Sequence, residues 1–500
     1  MQNTLEKKST ILLSKSRFFL FRIVIYLLFM LIPMYIEKFE IISQTNLLGL
    51  SLFYITFSVM QWFLIGKEFD YRFKIFIRFN SSIERVVYRI YLGMILCMLI
   101  FNVLYILPLS MMKNFFWGFW IIFGLFHSWP TRGKIITESV STHLYEYKFL
   151  DKFEKTIVVM TFLFFIFSIP AYSNFQNPFT LRLNYDPSEL ISSMYWNFLY
   201  VNYLPFNKHP ELLGRLWNFH LYTINVGLFL AVYYVFLRYY FSRRLALLGV
   251  LVIISSWPFF KMMEFNLGIL LHSGSYLLLI WSLILVYKSS TYRAGAFLGL
   301  MNLYVVISNR EFLPIVVIGN LYLYYVFLNK KNIWYKKKLL KYCLTGMFLL
   351  VTVILTEHSN YSISSSNLLG PFSIFFKYLN TKAFYKISIL GIFFMFFYFF
   401  KNKKFVNTLF FEKDITYLFI LFFLLTFLFQ SFNMIPLLNP FSYMWILPFF
   451  CLVPLEYLFN KMKAFRSNIN LIYMFYILTV LLDSHFEVRV KLFFRNFILQ

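Results

Sequence analysis

The sequence predicts an all-α fold: a polytopic transmembrane helical bundle of about 15 helices (13 to 15), with the amino terminus cytoplasmic. Three observations predict it. The 500 residues are 60% hydrophobic and only 14% charged, whereas soluble domains carry roughly 25% charged residues. A soluble interior of this size has no room for so much apolar surface, and a lipid solvent removes that conflict. Apolar stretches long enough to cross a bilayer, ~20 residues each, recur along the chain. The basic residues cluster between those stretches and alternate in density from one connection to the next.

The predicted spans are Phe18–Ile36, Leu47–Ile65, Ile90–Met112, Phe115–Trp129, Ile157–Tyr172, Leu216–Leu237, Leu245–Phe260 and Leu267–Tyr287. Ala294–Ile307, Phe312–Leu328, Tyr342–Leu355, Ala383–Phe400, Ile415–Phe432, Tyr443–Phe459 and Leu471–Leu482 follow. Lys7, Lys8, Lys15 and Arg17 precede the first stretch, and no small-residue cleavage site follows it. The first stretch is therefore expected to be an uncleaved helix. The aromatic content, 23% with 68 Phe and 37 Tyr, suits lipid-facing and interfacial positions.

Charge sets the direction. With the amino terminus inside, the inner segments hold about 33 Lys and Arg and the outer ones about 13, in keeping with the positive-inside rule. The inner groups include Lys67 to Arg89, Arg132 to Lys155, Arg238 to Arg244, Lys330 to Lys341, Lys401 to Lys413 and Lys461 to Arg466. This scatter through short inner connections is not the single basic face of a nucleic-acid-binding domain, so the net charge of +26 does not point to nucleic acid. Cys97, Cys343 and Cys451 show neither zinc spacing nor a disulfide framework, and each is expected to be a buried small residue.

Three regions follow from the spans. Residues 1–155 hold about four transmembrane helices. Residues 156–341 hold a core with a long first outer loop, 173–215. Residues 342–500 hold the C-terminal helices, a second outer loop at 356–382 and a short outer tail after Asp483. Long loops are uncommon unless they perform something. In the first, Glu189–Tyr200 is expected to be an amphipathic helix on the membrane surface, anchored by Tyr195, Trp196 and Tyr200.

Transporters place ionisable groups in mid-membrane. Here only His220, His272 and Arg22 approach that position, and a lone His in an apolar helix is most often a packing residue. The chemistry-bearing groups lie at the outer face. Asp186 opens the surface helix in Asn184-Tyr185-Asp186-Pro187-Ser188-Glu189, which is also good helix-start chemistry. Lys208, His209 and Arg215 follow the helix and suit a phosphate at the headgroup boundary, or ordinary snorkelling. Glu264 and the pair Arg310-Glu311 sit in short outer turns.

This order resembles the GT-C superfamily of integral-membrane glycosyltransferases, in the branch of protein O-mannosyltransferases and lipid A aminoarabinose transferases. The elements that carry the likeness are Ile157–Tyr172, Asp186, Glu189–Tyr200 and Lys208-His209-Pro210-Glu211-Leu212. Further on, Tyr239-Tyr240-Phe241-Ser242-Arg243-Arg244, Ser256-Trp257-Pro258-Phe259-Phe260 and the segment from Gly299 to Arg310 extend it to about residues 157–328. The chain departs from the pattern in having Asp-Pro-Ser-Glu for a paired acidic element, Glu211 for a second Pro, and four extra spans ahead.

The resemblance implies sugar transfer at the outer face from a polyprenyl-phosphate-linked donor to a lipid, glycan or protein acceptor. It implies Asp186 as base with Glu189 in reserve, Lys208, His209, Arg215 and Arg310 at the donor phosphate, and Glu264 orienting the substrate. It implies no metal; other GT-C branches use a divalent ion on outer carboxylates. Membrane lipids are the remaining expected partners, and a bacterial inner (cytoplasmic) membrane, with the site facing outside, is the expected location. The alternatives are a polysaccharide polymerase or ligase of another fold, and a transporter or flippase for a lipid-linked glycan.

Overall fold

In a computed structural model, the structure describes residues 44–72, 79, 81–128, 149–169, 190–206, 221–256, 259–260, 267–289, 291–308 and 313–328. Parts of 449–455, then 469–482, 484–497 and a few isolated positions complete it. Among the described residues every regular element is helical. In chain order these are α1 (Gln44–Arg72), α2 (Ser82–Tyr105), α3 (Leu109–Ser128), α4 (Lys152–Phe167) and α5 (Leu190–Asn202). Then come α6 (Gly227–Tyr240), α7 (Arg243–Ser255), α8 (Leu267–Ser289), α9 (Tyr292–Ser308), α10 (Leu313–Leu328), α11 (Ile469–Leu482) and α12 (Phe486–Phe497). A π-helical turn, Leu221–Val226, leads into α6.

Apart from α5 and α12, these helices overlap the predicted apolar stretches, with instructive shifts at their ends. The third stretch is cut short at Tyr105, because Pro108 disfavours helix in the residue before it; α3 starts after that proline rather than at Phe115. In α7 the helix stops ahead of Trp257-Pro258, and Ser256 is already extended at ψ 134°. α4 begins on a complete capping box. Asp151 accepts from the Glu154 amide at 2.7 Å and Glu154 accepts from the Asp151 amide at 3.0 Å, satisfying two amides that a helix start leaves open. The predicted stretches Phe18–Ile36, Tyr342–Leu355, Ala383–Phe400 and Ile415–Phe432 and the outer loop 356–382 lie outside the described residues, apart from isolated positions.

Among the described residues two helices, Ser82–Tyr105 and Tyr222–Tyr240, are long and apolar enough to cross a membrane; Leu277–Ser289, Arg293–Ile307 and Leu313–Val326 are shorter apolar helices. Several helices also keep apolar stripes on their outer surface. On α11, Leu471, Met474, Phe475, Leu478 and Leu482 are 52% to 75% exposed, while Tyr473 and Ile477 on the other side are buried. Val159, Phe162 and Leu163 form a similar stripe on α4. Water penalises stripes of this kind and lipid does not.

The chain divides into two compact units. Unit 1 comprises Met1–Lys74, Tyr88–Phe149 and Gln176–Trp217; unit 2 comprises Ile75–Val87, Leu150–Phe175 and Asn218–Gln500. In unit 1, α1 and α2 cross in backbone contact at Gly66 and Gly93. Asn102 on α2 donates to the Met194 carbonyl of α5 at 2.9 Å and accepts from Asn197 at 3.2 Å. Tyr54 on α1 donates to the Asn202 carbonyl, and Asn202 donates to Ser58 at 3.2 Å. Rings of α3, chiefly Phe116 and Trp120, pack on Phe101.

In unit 2, α6 packs on α7 and α8, α8 on α9 and α10, and α4 on α7 and α12. α4 and α7 run side by side in the same direction. Arg243 and Arg244 at the start of α7 pair with Glu154 and Asp151 at the start of α4. Arg489 of α12 touches the far ends of both. α11 follows the same direction: Tyr473 near its start packs against Phe153, and the chain beyond it places Phe486 against Phe164 and Phe167.

The charges between the second and third stretches are not a solvated inner loop throughout. Lys67, Glu68, Asp70, Glu84 and Arg89 lie on α1 and α2 and are buried. Both helices extend further into this segment than the hydropathy pattern predicts; Asp70 there pairs with Arg89, and Glu84 accepts from Tyr239 and Trp281.

Candidate functional site

All seven predicted site residues lie outside the described residues: Asp186, Glu189, Lys208, His209, Arg215, Glu264 and Arg310. His220 and the side chain of His272 do so as well. What the structure does describe is the scaffold from which these segments leave. α5 begins at Leu190, directly after Glu189, where the sequence predicts a surface helix. Its Tyr195 is not an interfacial anchor. The side chain is buried among α5 and its neighbours, near Phe198, because the helix packs on α1 and α2. Tyr200 is partly covered, edge-on to Tyr105.

The segment after α4 carries Asp186, and the one after α7 carries Glu264. The ends of these two helices therefore matter most, and Arg489 holds them. It is fully buried. Its Nη1 donates to Ser168 Oγ and to the Ile254 carbonyl, both at 2.9 Å; its Nη2 donates to the carbonyls of Ser255 at 2.8 Å and Ser256 at 3.0 Å. The rings of Phe164 and Phe260 lie 5.3 Å and 4.7 Å from the guanidinium carbon. The last carbonyls of a helix have no partner in the helix and carry its negative dipole end. A guanidinium is the side chain that answers both needs at once.

At the opposite ends of α4 and α7 the charges are paired conventionally. Arg243 makes a two-pronged contact with Glu154, Nε to Oε1 at 2.8 Å and Nη2 to Oε2 at 2.7 Å. Arg244 donates through Nε to Asp151 at 2.8 Å. Burial raises the Asp151 carboxyl, but the Glu154 amide and the Arg244 guanidinium outweigh it and hold the group below the usual carboxylate range.

A third polar cluster sits within unit 2. Glu84, in the first turn of α2, is fully buried. It accepts from the Tyr239 hydroxyl and from Trp281 Nε1 at 2.9 Å, while Lys288 Nζ lies 4.0 Å from the centre of the Tyr239 ring. Two donors and a helix N-terminus stabilise the carboxylate there. The sequence gives Glu84 only as a charge between spans, and its partners are 155 and 197 residues away. Arg489 was equally hidden: it appears in the sequence as one basic residue of a short tail, 321 residues from Ser168.

Among the described residues no group of three or more His, Cys, Asp or Glu side chains gathers where a metal ion could be held. Cys97 and Cys451 are buried, as their sequence context predicts; Cys343 lies outside the described residues. Comparison with protein-family models, with curated proteins and with solved structures finds no match.

Proposed function

We propose that the chain is a multi-pass membrane glycosyltransferase of GT-C type, moving a sugar from a polyprenyl-phosphate donor to a lipid, glycan or protein acceptor at the outer face of the membrane. The observation that carries the reading is the parallel pair α4 and α7, whose ends lie together under Arg489. In the chain, the segment with Asp186 follows α4 and the turn with Glu264 follows α7. Exposed apolar stripes on α4 and α11 support a lipid surround.

The chemistry follows from the residue types. The acceptor hydroxyl attacks the anomeric carbon, the bond from that carbon to the phosphate oxygen breaks, and the polyprenyl phosphate departs. Asp186 takes the hydroxyl proton, with Glu189 next in line. Lys208 and Arg215, with His209 and Arg310, neutralise the phosphate as it gains charge. Glu264 orients the acceptor.

The test is glycolipid and glycan profiling of cells lacking the protein, complemented by the wild type or by Asp186→Asn at equal abundance. The wild type should restore a missing glycan and Asp186→Asn should not. Full restoration by the variant removes Asp186 from the reaction. Accumulation of an unchanged lipid-linked glycan on the inner leaflet would instead favour a flippase.

A further inference from the structure

We infer that Arg489 is a positioning residue: from the C-terminal helix it locks the ends of α4 and α7 together and so sets where the two segments that follow them begin. The consequence for transfer rests on the proposed function; the locking itself does not.

The geometry selects arginine. Ser168 Oγ donates to the Phe164 carbonyl at 2.6 Å, so its lone pairs are left to accept from Arg489. On α7 the acceptors are three successive carbonyls, Ile254, Ser255 and Ser256, at the point where Pro258 ends the helix. One planar fork reaches both helices at 2.8 to 3.0 Å. A lysine ammonium is a single point of charge and cannot span the same four acceptors. The positive charge is held by carbonyl dipoles and flanking rings, which leaves the fork fixed in orientation.

The chain is also shaped to deliver this residue. After α11 it turns through His485, whose φ of +47° lies in the left-handed region, and α12 folds back onto α4. Phe486 and Phe493 seat the helix against Phe167, at ring distances of 5.4 Å and 5.3 Å. The other side of α12 is exposed and carries the Glu487–Lys491 pair. Arg489 is thus the polar group on the docked side, and it is directed at the two helix ends.

The experiment uses the full-length protein in lipid nanodiscs and compares Arg489→Lys, Arg489→Met and Lys491→Met by amide hydrogen exchange. Both Arg489 variants should speed exchange at residues 165–169 and 253–256 by about tenfold, since local opening governs protection there. Residues 153–157 and 245–248, at the other ends of the same helices, should be unchanged, and Lys491→Met should match the wild type throughout. If Arg489→Met does not fold, Ser168→Ala should still speed exchange at 165–169 alone. Unchanged exchange in both Arg489 variants, or equal acceleration at both ends of the helices, overturns the inference. In cells, Arg489→Lys at normal abundance should fail to restore glycan transfer. Transfer at the wild-type rate despite loosened helix ends would refute the positioning role. Absence of transfer even by the wild type, with the exchange pattern intact, would refute the glycosyltransferase reading and leave the locking role standing.

Discussion

Gly66 and Gly93 face each other where α1 crosses α2. A Cβ added at Gly66 would come within 1.8 Å of the Arg89 carbonyl oxygen, and one added at Gly93 within 1.7 Å of the Trp62 carbonyl oxygen. Backbone, not a flexible side chain, blocks both positions, so the helices must separate to admit even a methyl group. Small residues at a helix crossing permit this approach in membranes as in water. Gly66→Ala and Gly93→Ala should each destabilise the protein by about 1–3 kcal/mol, the usual cost of overpacking. The apparent melting temperature of the detergent-solubilised protein reads the effect; an unchanged melting temperature would mean that the helices are not in backbone contact.

The next helical turn carries a buried ion pair. Arg89 Nε and Nη2 lie 2.8 Å and 2.7 Å from Asp70 Oδ2, and Asp70 is almost wholly buried. Removing one partner strands the other charge, whereas removing both removes the desolvation cost as well. Arg89→Met should therefore destabilise by about 3–5 kcal/mol, and Asp70→Leu added to it should recover part of the loss. A double variant less stable than Arg89→Met would show that the two charges do not compensate one another.

Asp151 and Arg244 predict a pH dependence. The folded carboxyl is held below its ordinary range. Its contribution is therefore complete above the unfolded value and is lost as pH falls through the folded one, below about pH 4. Asp151→Asn keeps an oxygen for the helix cap and loses the charge. With the carboxylate about a third exposed, the variant should be less stable at pH 7 by only about 0.2–1 kcal/mol. That difference should vanish near pH 2. A difference that persists in acid would assign it to the cap rather than the ion pair.

The parts legible in the sequence were those set by local apolar content. The helices at Leu267–Ser289, Tyr292–Ser308 and Leu313–Leu328 follow the hydropathy almost residue for residue, because a helix satisfies the backbone of a long apolar run within the run itself. Charge misled where it was paired at a distance. Asp70 and Arg89 sit among basic neighbours in the sequence and resemble a loop, yet they extend two helices. Tyr195 suggested an interfacial anchor because amphipathicity shows that a helix has a buried side, not what covers it. Arg489 could not be found at all without the fold: nothing near it in sequence is its partner. The candidate-site residues fall between the predicted apolar stretches, where side-chain placement depends on distant packing rather than on periodicity.

The parallel course of α4, α7 and α11 constrains the topology beyond the described residues. If the chain crosses a bilayer at each of these helices, parallel helices cross in the same sense, and an odd number of crossings must separate any two of them. Between α4 and α7 the sequence places one span, Leu216–Leu237. Between α7 and α11 it places seven, including three outside the described residues. Both counts satisfy the rule, whereas one missed or surplus span would break the second. The prediction concerns three exposed positions in a background lacking the native cysteines: Ser242→Cys at the start of α7, Asn470→Cys at the start of α11, and Glu487→Cys on α12. In intact cells a membrane-impermeant maleimide should label Glu487→Cys and neither of the other two; after permeabilisation all three should react. Labelling of Ser242→Cys and Asn470→Cys from opposite sides would rule out seven spans between them and the shared direction of α7 and α11. Labelling of both from outside, with Glu487→Cys protected, would preserve the parallel helices but invert the orientation deduced from the basic residues. That result would move Asp186, Lys208 and Glu264 to the cytoplasmic face and replace an outer-leaflet donor with one presented from the cytoplasm.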